Sequence, residues 1–246
     1  MPHHKIRILN IDILSITRND LLTALDSGVL VTPNLDHLVK LHNDKEFHDC
    51  YQAAEWVVCD SRILYFCSKL LKQSIPETIQ GSSFFTDYYM HHRNDPDCRI
   101  FLLGAMDGVA LEAMHRINEK VGHRIVVGAH SPSFGFEKNE KENQEIYNII
   151  NKSGANVVLV GVGAPKQEKW IFKHKENMPG VKLWMALGAT IDFEAGKIKR
   201  APKFLQKLGL EWFYRFCNEP RRLFYRYFVD DIKFFALFAK QLLGSR

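Results

Sequence analysis

The sequence predicts an α/β fold, a Rossmann-like and mostly parallel sheet with helices on both faces, plus a C-terminal basic aromatic helical appendage. Three observations support this prediction. Short β-branched runs alternate with segments of helical period through residues 1–196. Small and polar residues follow directly after most of these runs. From residue 197 onward the composition changes, and cations and aromatic rings become dense.

The predicted strands are short apolar runs, as expected for strands that are buried on both faces of a parallel sheet. They are Lys5–Ile11, Val29–Val31, Val57–Cys59, Arg99–Leu103, Ile125–Val127, Val157–Val160 and Lys182–Ala186. The predicted helices have apolar residues three or four positions apart, and several follow an Asn, Ser, Asp or Gly that can cap them. They are Leu35–His42, Ile63–Leu71, Phe84–His92, Val109–Val121, Lys141–Asn151 and Gln167–Lys175.

Length and composition exclude several classes of protein. At 246 residues, 46% hydrophobic and 25% charged, the chain is not disordered as its main state. No apolar run approaches the ~18 residues of a membrane span, and no signal sequence is recognisable, so we expect a cytoplasmic protein. The five cysteines include no CxxC pair, which favours reduced thiols. The eleven histidines show no ligand spacing, so we expect no metal site.

The positive charge of the chain lies at its C-terminal end. Residues 197–246 contain twelve Lys and Arg against four Asp and Glu, a net charge of +8. Because the whole chain carries +5, residues 1–196 carry −3. Twelve of the 29 aromatic residues lie between Phe204 and Phe238. We therefore predict an α/β core at 1–196 and a helical appendage at 197–246 that binds an anionic membrane surface.

That appendage includes one long helix candidate between Pro220 and Leu243. The alternative is that this helix packs on the protein's own core or on another subunit. Apolar helix faces beyond those that cover the sheet leave room for a homo-oligomer.

Ligands of a parallel sheet bind beyond the carboxyl ends of its strands, so the residues that follow each strand are the candidate site. The main clusters there are Thr32-Pro33-Asn34, Asp60-Ser61-Arg62, Gly104-Ala105, Gly161 to Glu168 and Gly188 to Asp192. Small residues such as Gly104 let a ligand approach the backbone, and the polar residues supply the chemistry.

The turn after the strand Val157–Val160 suits a phosphate. Gly163 ends the strand region, and free N–H groups at the start of the following helix attract anions. Lys166 and Gln167 would add a cation and an amide donor. The turn is neither a Walker A loop nor a dinucleotide fingerprint, because the required residues are missing. The alternative is an ordinary turn whose Lys-Gln-Glu start faces solvent.

Asp60 follows the apolar run Trp56–Cys59, so partial burial would raise its proton affinity, as a general base for a sugar hydroxyl requires. The alternative is that Asp60 caps the next helix, although Ser61 could do so equally well. Thr32 and Asn34 could likewise belong to the site or have only a structural role, because Asn34 is a natural helix cap.

Two further residues have side chains that could bind a nucleoside. Asp192 lies past an apolar strand and two small residues, where its carboxylate could accept both hydrogen bonds of a ribose diol. Phe136 could stack on a base. Alternatively, Asp192 caps a turn and Phe136 belongs to the core.

Taken together, these residues resemble the WecG/TagA/CpsF glycosyltransferases, which form glycosyltransferase family 26. The resemblance runs from about Ile8 to Phe228. It rests on the strand-end clusters above, on Gly81-Ser82, on Ala195-Gly196-Lys197-Ile198-Lys199-Arg200-Ala201-Pro202, and on Gly209-Leu210-Glu211-Trp212, Tyr214-Arg215 and Glu219-Pro220-Arg221-Arg222.

The resemblance implies transfer of a sugar, with inversion and without a metal or other cofactor, from a UDP-sugar to a sugar linked through pyrophosphate to polyprenol. It makes Asp60 the base, with Thr32 and Asn34 as its neighbours. It places Gln167 near the pyrophosphate, and Asp192 and Phe136 near the nucleoside. Arg215, Arg222 and Arg226 match basic residues of a tail that folds over the site. The resemblance thus makes 1–196 the catalytic core that binds the nucleotide sugar and 197–246 the appendage that closes the site.

Two departures from the family pattern bear on substrate choice. Asp60-Ser61-Arg62 stands where many members have Asp-Gly, and Gly81-Ser82-Ser83 stands where Gly-Ser-Asp is usual. Arg62 could pair with Asp60 or bind a carboxylate or phosphate of a substrate. The resemblance leaves N-acetylmannosamine, its uronic acid and glucose open as donor sugars, and favours an exopolysaccharide or surface-glycan pathway with the enzyme on the inner face of the membrane.

Two other classes of function remain as alternatives. A nicotinamide-dependent oxidoreductase should carry GxGxxG after its first strand, where this chain has Asn10-Ile11-Asp12. A non-enzymatic membrane or nucleic-acid binder would explain the basic tail and would bind with steep salt dependence. It would leave Asp60 and Thr32 without a role, so we expect no nucleic-acid partner.

Overall fold

The computed structural model describes residues 4–198 and 231–244. Within them a six-stranded sheet has the order β4-β3-β8-β7-β5-β6, and every neighbouring pair is parallel. Its strands are β3 (Gly28–Val31), β4 (Trp56–Val57), β5 (Ile100–Gly104), β6 (Val126–His130), β7 (Val157–Gly161) and β8 (Leu183–Ala186). The predicted parallel α/β fold is therefore confirmed.

Ten α-helices lie within the described residues. They are α1 (Arg18–Ala24), α2 (Leu35–Asn43), α3 (Lys45–Ala53), α4 (Arg62–Leu70), α5 (Gly81–His91), α6 (Val109–Val121), α7 (Glu140–Ser153), α8 (Lys166–His174), α9 (Thr190–Glu194) and α10 (Asp231–Gly244). Side chains of Thr17, Asn34, Asp44, Ser61 and Asn139 cap the helices that follow them. Short 3₁₀ helices span Phe136–Lys138 and Lys175–Asn177.

Helices cover both faces of the sheet, because successive strand residues point to opposite sides. In β7, Val158 and Val160 pack in the core shared with α2, α3, α7 and α8. Val157 and Leu159 pack in the core shared with α1, α5 and α6. All five residues of β7 are buried, which explains the unbroken apolar run that predicted this strand.

The N-terminal region differs from the predicted single strand Lys5–Ile11, which was wrong. Residues 5–14 form an antiparallel hairpin, β1 (Lys5–Ile8) and β2 (Ile11–Leu14), in a separate two-stranded sheet. The turn lies at Leu9 and Asn10, and Leu9 has a φ of 52°. A β-branched run that looks continuous is thus folded back on itself, which buries Ile6, Ile8, Ile11 and Ile13.

The C-terminal helix α10 packs against the rest of the molecule. Its Phe234 and Phe238 are buried in the core that includes α2. Gln241 accepts a hydrogen bond from the Leu9 backbone N–H at 2.8 Å and donates to the Arg7 carbonyl at 3.2 Å. These contacts favour the alternative in which the end of the tail packs on the protein's own core. The division at residue 196 stays a prediction.

Four buried cysteines of the described residues carry free thiols. Burial raises the pKa of Cys50, Cys59 and Cys98 to about 12, which disfavours their reactive thiolate forms.

No helix in residues 4–198 or 231–244 has the length and apolar character to cross a bilayer.

Candidate functional site

The carboxyl ends of the six parallel strands meet at one edge of the sheet. From β5 the chain moves outward to β6, whereas from β7 it moves in the opposite direction to β8. Strands whose connections leave in opposite directions mark the place where ligands bind in open parallel sheets. The loops that follow β5 and β7 are therefore the first candidates for a binding site.

Three glycines, Gly104, Gly161 and Gly188, bring the backbones of neighbouring loops together at this edge. We call them the glycine edge. A Cβ atom on Gly104 would lie 2.5 Å from the Gly161 carbonyl oxygen, and one on Gly161 would lie 2.6 Å from the Gly188 carbonyl oxygen. The φ of Gly104 is +142°, which L side chains rarely adopt. Gly104 was predicted to let a ligand approach the backbone closely. In the structure the backbone of Gly161 makes this close approach.

The turn between β7 and α8 is held by the side chain of Gln167. Its Oε1 accepts hydrogen bonds from the backbone N–H groups of Gly163 and Gly188, each at 3.1 Å. Pro165 takes the N-cap position, and α8 begins at Lys166. Gln167 therefore joins the loop after β7 to the loop after β8, and the N-terminus of α8 points to the ligand edge.

Lys166 lies on the outer side of this turn. Its Nζ is 3.6 Å from Glu137 Oε2 and 5.0 Å from the ring centroid of Phe134. The cation predicted to meet a phosphate is engaged by a carboxylate and an aromatic face. The side chain is partly exposed.

Glu168 is buried completely beneath the turn, so the alternative of a solvated Lys-Gln-Glu start is wrong for Gln167 and Glu168. Glu168 Oε1 accepts a hydrogen bond from Gln167 Nε2 at 2.9 Å, and Oε2 has no hydrogen-bond partner among the described residues. Burial raises the pKa of Glu168 to about 7 from an ordinary value of 4.5. The carboxyl group is therefore poised to change charge near neutral pH.

Replacing Glu168 by Gln is expected to flatten the pH dependence of stability. Since the folded-state pKa of about 7 lies above the ordinary 4.5, the native state holds a proton that the unfolded chain has lost in this range. The contribution of Glu168 to the free energy of unfolding is thus full below pH 4.5 and falls as pH rises towards 7, by about 3 kcal/mol at most.

Urea denaturation at pH 5 and pH 8 measures this effect. E168Q should match the wild type at the lower pH and exceed it at the higher one. The exposed Glu145→Gln, on α7, serves as the control and should keep the wild-type profile. A wild-type profile in E168Q would contradict the assignment.

Thr32, Asn34 and Asp60 lie at the other end of the same edge. Thr32 follows β3 and is buried, and its Oγ1 would lie 3.4 Å from a Cβ on Gly81. Asn34 caps α2 by accepting the backbone N–H of His37 at 3.2 Å, as its alternative assignment predicted. Ser61, not Asp60, caps α4. Capping therefore accounts for Asn34 but not for Asp60.

Asp60 follows the edge strand, with β3 and β8 between it and β7. Three interstrand spacings separate β4 from β7 within the sheet, a distance of about 14 Å. Tyr51 of α3 lies near carboxylates from both ends of the edge. Burial raises its pKa well above the usual range, and the nearby carboxylates of Glu168 and Asp60 raise it further. The edge thus has a backbone-rich end at β7 and a carboxylate end at β4, an arrangement that suits an extended ligand.

Behind Asp60 lies a buried polar contact that the sequence pattern did not predict. His37 Nδ1 and the Tyr51 hydroxyl are 2.7 Å apart, and Phe47 packs edge-on against both rings. The spacing of Phe47, Cys50 and Tyr51 indicates a helix with one buried face, and this signal could have revealed α3.

The loop after β6 contains Phe136, the residue expected to stack on a base, and Phe134, for which no role was predicted. Phe136 is buried and packs on Trp170 with ring centroids 5.9 Å apart, which favours its alternative role as a core residue. Phe134, two positions earlier, is fully exposed at the ligand edge beside Lys166. The ring available to stack on a base in this conformation is therefore that of Phe134.

The remaining predicted residues divide between described and undescribed parts of the chain. Asp192 is half-buried in the first turn of α9, after β8. Arg62 is the exposed first residue of α4. Arg215, Arg222 and Arg226 lie outside the described residues. Within residues 4–198 and 231–244, no group of three or more His, Cys, Asp or Glu side chains is placed to hold a metal ion.

A family model described as the glycosyl transferase WecG/TagA/CpsF family matches residues 6–246, nearly the whole chain.

Proposed function

Because the chain belongs to the WecG/TagA/CpsF family of glycosyltransferases, which act in the synthesis of cell-surface polymers, we propose that it transfers a sugar from a UDP-sugar to a sugar carried on polyprenyl pyrophosphate. The family match over residues 6–246 is the observation that carries this proposal. The donor binds along the carboxyl edge of the sheet, with its diphosphate at the α8 N-terminus and its sugar towards Asp60.

The reaction is a single displacement with inversion. The Asp60 carboxylate takes the proton of the acceptor hydroxyl, the acceptor oxygen forms a bond to the anomeric carbon, and the bond from that carbon to the phosphate oxygen breaks. UDP leaves with the bonding electrons. Support for the role of Asp60 comes from its half-buried place at the ligand edge and from the capping of α4 by Ser61 instead.

The departing UDP gains negative charge, which needs stabilisation where it develops. We assign this task to the α8 N-terminus and to the tail arginines Arg215, Arg222 and Arg226, without a metal ion. The side chains of Thr32 and Asn34 lie next to the reacting sugar, Asp192 serves the ribose, and Phe134 takes the base-stacking role first expected of Phe136.

The acceptor is lipid-linked, so the enzyme works at the inner face of the cell membrane as a peripheral protein. The basic residues of the tail and the exposed Lys233 and Lys240 of α10 would attract anionic lipid.

A thermal-shift series with nucleotides tests the donor class. UDP-sugars at about a hundred times their Kd should raise the free energy of unfolding by about 2.7 kcal/mol and the Tm by roughly 5–10 °C. ADP and NAD at the same concentrations are the controls. A shift with NAD alone would support the oxidoreductase alternative, and no nucleotide shift together with salt-sensitive nucleic-acid binding would support the non-enzymatic one.

The same UDP-sugars are then offered with a polyprenyl-pyrophosphate-linked sugar in a transfer assay with and without EDTA. Turnover that is unchanged by EDTA is expected. Loss of turnover on chelation would contradict the metal-free stabilisation of UDP.

A further inference from the structure

The helix that begins two residues after Asp60 has an apolar stripe on its exposed side. Ile63, Phe66 and Leu70 of α4 are 39%, 58% and 65% exposed, whereas Leu64 and Cys67 point into the core. At 3.6 residues per turn the three exposed side chains fall within about 60° of the helix circumference. We call these three residues the α4 stripe. Helix α4 thus has two apolar faces, and the protein core covers only one of them.

The charged residues within α4 and in the turn that follows it are all positive. Residues 61–76 contain Arg62, Lys69 and Lys72 and no Asp or Glu. Lys69 and Lys72 are exposed, and Lys69 Nζ lies 4.4 Å from the ring centroid of Tyr65. A second copy of this chain placed symmetrically on the stripe would bring like charges together, which is unfavourable. The complementary partner is an apolar surface bordered by negative charge.

The elements beside α4 have the same character. Helix α4 contacts β1, whose Lys5 and Arg7 are exposed, although Arg7 Nη1 lies 3.1 Å from Asp12 Oδ1 of β2. The Arg7 carbonyl accepts a hydrogen bond from Gln241 of α10. Helix α10 exposes Phe235 and Leu243. Exposed cations and apolar side chains therefore occur on three adjoining elements, α4, β1 and α10.

We propose that the α4 stripe inserts into the headgroup region of an anionic bilayer, with Lys69 and Lys72 at the level of the lipid phosphates. An amphipathic helix with cations beside its apolar face lies in the plane of such an interface. Asp60, just before α4, would then face the headgroup layer. This inference rests on the proposed function for its lipid-linked acceptor and names the part of the core that brings Asp60 to that acceptor.

Co-sedimentation of the full chain with vesicles tests the inference. Vesicles of phosphatidylglycerol with phosphatidylethanolamine provide the anionic surface, and phosphatidylcholine vesicles provide a neutral one. The double variant F66S/L70S should bind anionic vesicles at least tenfold more weakly than the wild type. The matched control, L111S/I149S, changes residues that are 49% and 40% exposed on α6 and α7, and should bind as the wild type does.

A second variant, K69E/K72E, tests the charge without removing apolar surface. It should lower binding to anionic vesicles at least about thirtyfold, because each of the two basic residues contributes about 1 kcal/mol near an anionic surface and the new carboxylates add repulsion. Binding to phosphatidylcholine should stay unchanged. The Tm of each variant and its rise with UDP confirm that the variants are folded.

Wild-type vesicle binding by F66S/L70S would overturn the inference. So would a change in its molecular mass by light scattering without any change in vesicle binding, which would make the α4 stripe a contact between copies of this chain. The vesicle measurement needs neither donor nor acceptor. Failure of UDP-sugars to bind or react would therefore overturn the proposed function separately.

Discussion

Replacing Asp60 by Asn is expected to lower the rate of sugar transfer by a factor of about 10² to 10⁴, the usual contribution of a positioned general base. The amide of Asn keeps the size of the side chain but cannot accept the hydroxyl proton. The proposed donor contacts lie towards β7 and β8, so the rise in Tm with UDP should stay as in the wild type. The loss should therefore appear in kcat with little change in the KM for the donor.

The control for this variant is Asp97→Asn, which removes the same charge at the opposite, amino edge of the sheet. The Asp97 side chain is 91% exposed. D97N should turn over at the wild-type rate. Full activity in D60N would remove Asp60 from the role of base, and loss of UDP binding in D60N would mean that the carboxylate serves the donor instead.

Replacing Gly104 by Ala is expected to cause a large loss of stability. The new Cβ would lie 2.5 Å from a backbone oxygen of Gly161, which cannot move aside as a side chain can, and the φ of +142° adds strain. Strain alone costs about 1–3 kcal/mol, so with the collision we expect at least about 3 kcal/mol and a fall in Tm of roughly 6–12 °C. The rise in Tm with UDP should also shrink, because the loops after β5 and β7 must separate.

Gly122→Ala separates strain from collision. Gly122 also has a positive φ, +87°, but a Cβ there would meet no atom within 4 Å. We expect G122A to lose only about 1 kcal/mol. Equal melting temperatures for G104A and G122A would show that the backbone at the glycine edge yields easily, contrary to the tight packing of its loops.

The sheet was predictable because its strands are buried on both faces and read as unbroken apolar runs. Val157 to Val160 is the clearest case. The hairpin at residues 5–14 was not, because its Leu9–Asn10 turn lacks the glycine that usually marks a two-residue hairpin. Helix α3 was missed although Phe47, Cys50 and Tyr51 have helical spacing.

The candidate site was predictable only as a set of positions. That parallel strands share one carboxyl edge was enough to group Thr32, Asp60 and Gln167. The orientation of individual side chains depends on tertiary packing that local pattern does not contain. Gln167 and Glu168 open a helix with a polar sequence, yet they are buried because α3 packs over α8. Phe136 turns inward in a 3₁₀ helix, which leaves Phe134 exposed.

The glycine edge has a consequence for redesign of the enzyme. The carbonyl groups of Gly161 and Gly188 occupy the volume that a side chain on Gly104 or Gly161 would need. A substitution at either position would therefore destabilise the protein before it could change the shape of the site near β5 and β7. Efforts to change which sugar is transferred should therefore leave Gly104 and Gly161 intact. Libraries should instead diversify the side chains around Thr32, Asn34 and Arg62, where volume and charge can be altered one residue at a time.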